Sequence, residues 1–285
     1  MSGYRTSSDK LRLPPDSIEM LAELEKAFEK FGIDFYLVGA VSRDVWLTGI
    51  HGIRPKRATA DIDFAVLINH KGLYEELKKY LLATKKFTPY HENAFVLIYE
   101  GELQVDLLPF GEIEDGNRTV KIEGTGYTSI HVDGFREVYQ SGLPEIDLDS
   151  HHFKFCTLPG IVILKLIAWD DRPEARRDDI KDISEIMNHY FDINSSNIWD
   201  NHYDLFDRED ADLREIAAEV MGREIRAILM KENQLFERVE GFISRNIAQQ
   251  ADSPMALTMT EYFDNTIEAN IRLLEFLLSG LRTEK

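Results

Sequence analysis

Asp61-Ile62-Asp63 heads an apolar run, Phe64-Ala65-Val66-Leu67-Ile68, and no other stretch constrains the fold of this chain so strongly. On a β-strand, residues i and i+2 project from one face and lie about 7 Å apart. The apolar continuation places the far end of the strand in a core. The acids then belong at its open end, where a sheet meets solvent and ligands. Carboxylate oxygens suit Mg2+, and two of them at this spacing can grip a pair of divalent ions. A third acid belongs in such a site. Asp106, in Gln104-Val105-Asp106-Leu107-Leu108, offers one at the end of another apolar strand. The ordinary alternatives are a capped turn beside an edge strand for Asp61 and Asp63, and a strand-end turn former for Asp106.

Upstream, Phe35-Tyr36-Leu37-Val38 reads as a short strand that Gly39 turns into a helix starting near Ser42. Unsatisfied backbone N–H groups and the positive end of the helix dipole make such a turn an anion site. Gly39 and Ala40 allow a phosphate close to the backbone, Ser42 offers a hydroxyl, and Arg43 offers a fixed charge. Asp44 either caps the helix or orients Arg43. A plain strand–helix turn is the alternative.

The chain has 285 residues, enough for two domains. Pro14-Pro15 closes an expected disordered tail over residues 1–15. A first domain is expected over 16–157, with strands and helices mixed. Its elements are a helix from Asp16 or Ser17 to about Lys30, the two strands above, a helix over Tyr74–Leu82, and a hairpin of Phe95–Tyr99 with Leu103–Leu108 turned at Glu100-Gly101. Short strands follow between Arg118 and Phe155. From 158 to 285 the pattern is helical, with apolar residues three or four apart over Ile161–Trp169, Asp179–Tyr190, Asp210–Met230, Gln234–Ile247 and Thr258–Leu281. The expected class is α+β, followed by an all-helical lobe.

The net charge of −18 argues against a general nucleic-acid binder, although local cations and metal ions can still hold a nucleotide. Cys156 is the single cysteine, so there is no internal disulfide and no cysteine metal cluster. No apolar run reaches the length of a membrane span, and Met1–Lys10 lacks the apolar core of a signal peptide. The expectation is a cytoplasmic protein without a membrane partner.

Lys165 stands inside the apolar Leu158–Trp169 segment, where a bare ammonium is costly. It either snorkels to the surface or points towards phosphates. Arg172 follows, then Asp179 and Asp182 on one helical face. Arg54, Lys56 and Arg57 precede the paired acids and either draw a polyanion to them or form a solvated loop. His151 and His152 read as strand or loop residues. Trp199, Tyr203 and Phe206 are expected in a core or lobe interface.

Gly39-Ala40, Asp61-Ile62-Asp63 and Asp106 together resemble the nucleotidyltransferase superfamily with the polymerase-β-like core. Val38 to Asp44 also looks like the Gly-Gly-x-Val-Arg-Asp motif of CCA-adding enzymes. Lys165, Ala168, Arg172, Asp179 and Asp182 resemble the Lys-x-x-Ala, Arg and Lys-Asp-x-x-Asp places of the abortive-infection, type IV toxin–antitoxin branch. Ala40 replaces a Gly or Ser, the spacer to Asp61 is long, and Asp178 stands where that branch has a lysine.

The resemblance implies a polymerase-β-like mixed sheet and transfer of a nucleoside monophosphate from an NTP such as ATP to a hydroxyl of RNA (tRNA), protein or a small molecule. It implies two Mg2+ ions, or Mn2+, on Asp61, Asp63 and Asp106, and triphosphate contacts from Gly39, Ala40, Ser42, Arg43, Lys165 and Arg172. Asp44, Asp179 and Asp182 would be supporting residues. A toxin would have a cognate antitoxin as partner. A CCA-adding or antibiotic-modifying transferase, and a catalytically silent nucleotide-binding or interaction module, are the competing expectations. No downstream Glu-Asp-x-x-Arg-type motif supports the CCA-adding one.

Overall fold

The structure is a computed structural model that describes residues 3–54, 61–208, 212–263 and 265–284. The chain forms two compact units, Met1–Thr157 and Leu158–Lys285. The described residues form an α+β first unit and a helical second one.

In the first unit, β1 (Tyr4–Thr6) and the short helix α1 (Ser8–Leu11) precede α2 (Ser17–Phe31), β2 (Phe35–Leu37) and α3 (Gly39–Asp44). The helical turns of α3 widen into a π-helical segment, Val45–Ile50. Then come β3 (Asp61–Leu67), α4 (Lys71–Ala83), β4 (Phe87–Pro89), β5 (Val96–Tyr99) and β6 (Leu103–Phe110). The unit closes with β7 (Thr119–Lys121), β8 (Ser129–His131), α5 (Phe135–Gln140), β9 (Glu145–Leu148) and β10 (His151–Lys154).

The main sheet has the order β2-β3-β6-β5-β4. β3 and β6 lie parallel at its centre, and β2, β5 and β4 are antiparallel to their neighbours. A parallel pair needs a crossover between its strands, and the chain between β3 and β6 contains α4, β4 and β5. The alternation of each central strand buries Ile62, Phe64, Val105 and Leu107 while leaving Asp61, Asp63, Gln104 and Asp106 partly exposed. On α2 the buried residues Met20, Leu21, Leu24, Ala27 and Phe28 recur at helical spacing, which gives the helix one core-facing stripe. Gly32 ends it at φ +62, its N–H bonding the Phe28 and Glu29 carbonyls. Phe28, Phe35, Phe64 and Phe153 interlock in edge-to-face and tilted ring contacts.

The tail expected over residues 1–15 is structured in its described part. β1 pairs with β9 in parallel, Tyr4 packs against Trp46 and Phe155 at 5.3 and 5.9 Å, and Leu11 is buried. Partners more than a hundred residues away stabilise this segment, so its own polar composition conceals it.

In the second unit, α6 (Leu158–Asp171) leads into α7 (Arg177–Asn201), which kinks at Asn194. α8 (Leu213–Leu229), α9 (Asn233–Ala248), α10 (Pro254–Thr260) and α11 (Ile267–Arg282) complete it. α8 and α11 cross backbone to backbone. An added Cβ on Gly222 would lie 2.1 Å from the Leu277 carbonyl oxygen, and one on Gly280 would lie 1.9 Å from that of Glu219. The helix expected over Thr258–Leu281 is two helices. Ser253 caps α10, Pro254 sits at its first turn, and Thr266 caps α11 anew. The apolar period survives on both sides of the break, which is why periodicity alone does not reveal it. Trp199 and Tyr203, expected in a core or interface, are 54% and 71% exposed, and Trp199 stacks on Phe206 at 3.9 Å.

Candidate active site

The centre of the main sheet gathers the acids. Strand register sets Asp63 directly beside Asp106 and Asp61 beside Gln104. Neighbouring strands lie about 4.8 Å apart and paired residues share a face, so three carboxylates and one carboxamide occupy adjacent corners of one patch. All four are partly exposed, whereas the residues between them are buried. Burial of the alternate residues fixes this orientation, because a slip of one residue would bury every acid.

Gly39 completes the patch. The Val38 N–H donates to the Asp63 carbonyl at 3.0 Å and pins the end of β2 to β3. The next residue, Gly39, turns the chain at φ +64, and an added Cβ there would lie 2.0 Å from Asp63 Oδ2. Any side chain at position 39 would displace that carboxylate. Gln104 Nε2 donates to Asp106 Oδ1 at 2.9 Å. Behind the strand the buried Tyr74 hydroxyl donates to the Leu107 carbonyl at 2.8 Å. Burial, and then the Asp106 charge, push that phenol far above its ordinary range.

Among the described residues no three His, Cys, Asp or Glu side chains converge closely enough to hold a metal as they stand. The set still suits a hard divalent ion. It is all oxygen, partly exposed and on one face, and a glycine leaves room where a Cβ would intrude.

The neighbouring candidates are placed differently. The Ser42 hydroxyl is wholly buried and donates to the Cys156 carbonyl at 3.2 Å. Arg43 is fully buried, and its Nε and Nη2 both donate to Asp44 Oδ1, at 2.9 and 2.7 Å. Ser42 and Arg43, expected to contact a triphosphate, are thus both buried and hydrogen-bonded within the first unit. A guanidinium this deep needs a partner, and Asp44 orients it. Ala40 is buried in the first turn of α3. Arg54 is exposed, while Lys56 and Arg57 lie outside the described residues.

In the second unit Lys165 is buried, and its Nζ lies 2.7 Å from Asp179 Oδ1 and 2.8 Å from Asp182 Oδ2. Burial works against its charge, but Asp182 and Asp179 outweigh it and hold the ammonium above its ordinary range. The ammonium expected to bind phosphate is thus committed to two carboxylates of its own unit. Asp179 Oδ2 is buried without a hydrogen bond. Arg172 lies just beyond α6, its N–H bonded to the Ala168 carbonyl at 3.2 Å. The patch residue missed at first is Gln104. Its i, i+2 spacing to Asp106 was the available signal, the same that joins Asp61 to Asp63.

Residues 23–268 match the family profile described as "Nucleotidyl transferase AbiEii toxin, Type IV TA system". No curated protein matches the chain. Among solved structures, an antigenic nucleotidyltransferase-like protein from Paracoccidioides brasiliensis aligns with 82% of this chain and 94% of its own, at 14% identity and a TM-score of 0.41. The antibiotic-resistance factor ANT(2'')-Ia aligns with 81% and 93%, at 12% identity and a TM-score of 0.35. A CCA-adding enzyme in complex with CTP aligns with 94% and 65%, at 16% identity and a TM-score of 0.34. No helix among the described residues is long and apolar enough to cross a membrane.

Proposed function

Because the chain belongs to the AbiEii family of nucleotidyltransferases, we propose that the patch of Asp61, Asp63 and Asp106 is its catalytic centre, and that it transfers a nucleoside monophosphate from an NTP to a hydroxyl of an RNA, a protein or a small molecule. The observation that carries this reading is the Asp63–Asp106 register pair with Gly39 set against the Asp63 carboxylate. Asp61 and Asp63, with Asp106, would hold Mg2+ or Mn2+. When bound, such an ion supplies positive charge against the phosphate oxygens and lowers the cost of forming the attacking oxyanion.

The protein's own groups divide the remaining work. The Gly39–Ala40 turn, at the start of α3, would offer backbone N–H groups to phosphate oxygens. Asp106 accepts the proton of the acceptor hydroxyl. The new bond joins the acceptor oxygen to the α-phosphorus, the bond from that phosphorus to the bridging oxygen breaks, and pyrophosphate leaves. Ser42, Arg43 and Asp44 hold α3 rigid behind the turn. In the second unit, Asp179 and Asp182 anchor Lys165, and the cluster fixes α6 against α7. Membership of a type IV toxin–antitoxin family supports a toxin role opposed by a cognate antitoxin.

Incubation with each α-32P-labelled NTP, Mg2+ and total cellular RNA and protein should label one acceptor class. Asp63→Asn should abolish labelling while its circular dichroism and Tm stay at wild-type values. Labelling that survives Asp63→Asn, or no labelling with any NTP, would overturn the assignment. Expression of the wild type should arrest growth and Asp63→Asn should relieve it; equal growth under both would remove the toxin role.

A further inference from the structure

We propose that Gln104 is a positioning residue for Asp106, holding its carboxylate in the plane the reaction needs; this rests on the nucleotidyl-transfer reading of the same patch. Gln104 stands at the fourth corner of the array, beside Asp61 across the strands and two residues before Asp106 on the same strand. Its carboxamide donates to Asp106 Oδ1 at 2.9 Å. The direction of this bond is unambiguous, because an ionised carboxylate only accepts and the contacting amide atom must be the N–H side.

Two physical consequences follow. The terminal torsion of an aspartate is broad and roughly two-fold, so its partners set the plane of the carboxylate. A charge-assisted bond to one oxygen removes that freedom. Gln104 is also neutral. An acid at this corner would set a fourth negative charge beside Asp61 and Asp106, whereas an apolar residue would offer no donor. Glutamine combines a donor, the right reach and no charge. Bulk alone does not account for it, since a Leu or Met would fill the same volume.

The test uses the full-length protein with Gln104→Ala and Gln104→Glu. Two quantities are measured: steady-state label transfer, and Mn2+ binding to the nucleotide-free protein by the electron paramagnetic resonance of free Mn2+. Gln104→Ala should lower kcat by about 10- to 100-fold, the scale expected for a misplaced catalytic group. The KM for NTP should stay within about twofold, since the residue acts on Asp106 and not on the triphosphate. Mn2+ binding should weaken several-fold. Gln104→Glu keeps the shape and loses the donor, so it should not recover kcat.

A Gln104→Ala protein with wild-type kcat and Mn2+ affinity overturns the proposal, as does Gln104→Glu at the wild-type rate. A lower Tm with both quantities unchanged makes Gln104 merely structural and also overturns it. If the wild type itself transfers no label, the nucleotidyl-transfer reading fails, and the Mn2+ comparison still decides whether Gln104 holds Asp106.

Discussion

Each unit carries a pair of aspartates that a motif search treats alike, Asp61 with Asp63 in the first and Asp179 with Asp182 in the second. In the first they share a partly exposed sheet face with a third acid, and a glycine lies against one of them. In the second they close on a buried lysine from both sides. A buried charge must be matched on the spot, so the second pair serves the fold of its unit. A partly solvated group of carboxylates on a sheet face stays within reach of a ligand. Burial, and not the spacing of the acids, separates the two pairs.

Lys165→Met gives the hardest test of that contrast. It strands two buried carboxylates and should cost about 3 kcal/mol or more in urea unfolding. The triple change Lys165→Met, Asp179→Asn and Asp182→Asn should recover most of the loss. The pH dependence has a definite sign. The folded pKa of Lys165 is raised, so its contribution is complete below the unfolded value of about 10.4 and is lost as pH rises through the folded pKa. Stability that falls at strongly alkaline pH in the wild type but holds steady in the triple variant would support this; identical profiles would count against it.

The two units also use glycine for different ends. Gly280→Ala presses a methyl group onto the Glu219 carbonyl and should destabilise the protein by about 3 kcal/mol through overpacking, read as a lower Tm. Gly39→Ala presses one onto the Asp63 carboxylate. It should lower label transfer by about 10²-fold, the effect of moving a catalytic group by about an ångström. Should Gly39→Ala keep full activity, the close approach at Asp63 has no catalytic meaning.

Asp61→Asn changes a partly exposed carboxylate of the patch. It should shift Tm by no more than the equivalent of about 1 kcal/mol, because substitutions away from buried networks cost little. A substantial loss of stability would place Asp61 with the buried pair of the second unit. The smallest effect belongs to His152, whose hydrogen bond to Asp147 and pairing with Glu145 raise its pKa. That contribution is present below the unfolded value of about 6.5 and fades as pH rises through the folded pKa. His152→Asn should remove a few tenths of a kcal/mol at most, since the ring is exposed and screened; Tm measured across pH 5–8 checks it.

Much of this was legible from local pattern. Alternation in β3 and β6 gave the exposed acids and the buried Ile62, Phe64, Val105 and Leu107, since the two-residue period of a strand is a local property. The stripe on α2, the Gly32 stop and the Glu100-Gly101 turn are equally local, and so is the change to helices after residue 157. The pairing of Asp44 with Arg43 was one of two readings of adjacent residues. The partner of Ser42 was not legible, because it is a carbonyl at Cys156, more than a hundred residues away. β1 was hidden for the same reason, since its hydrogen bonds go to β9.

Local sequence sets where the charges lie and which side of each of the main strands and helices is apolar. Tertiary structure alone decided that Asp63 stands beside Asp106, that Gly39 yields space to one carboxylate, that Gln104 reaches another, and that Lys165 is already claimed. Periodicity is written within a few neighbouring residues. Strand order, register and the offset of a buried charge depend on groups brought together from distant parts of the chain, and only folding makes them neighbours.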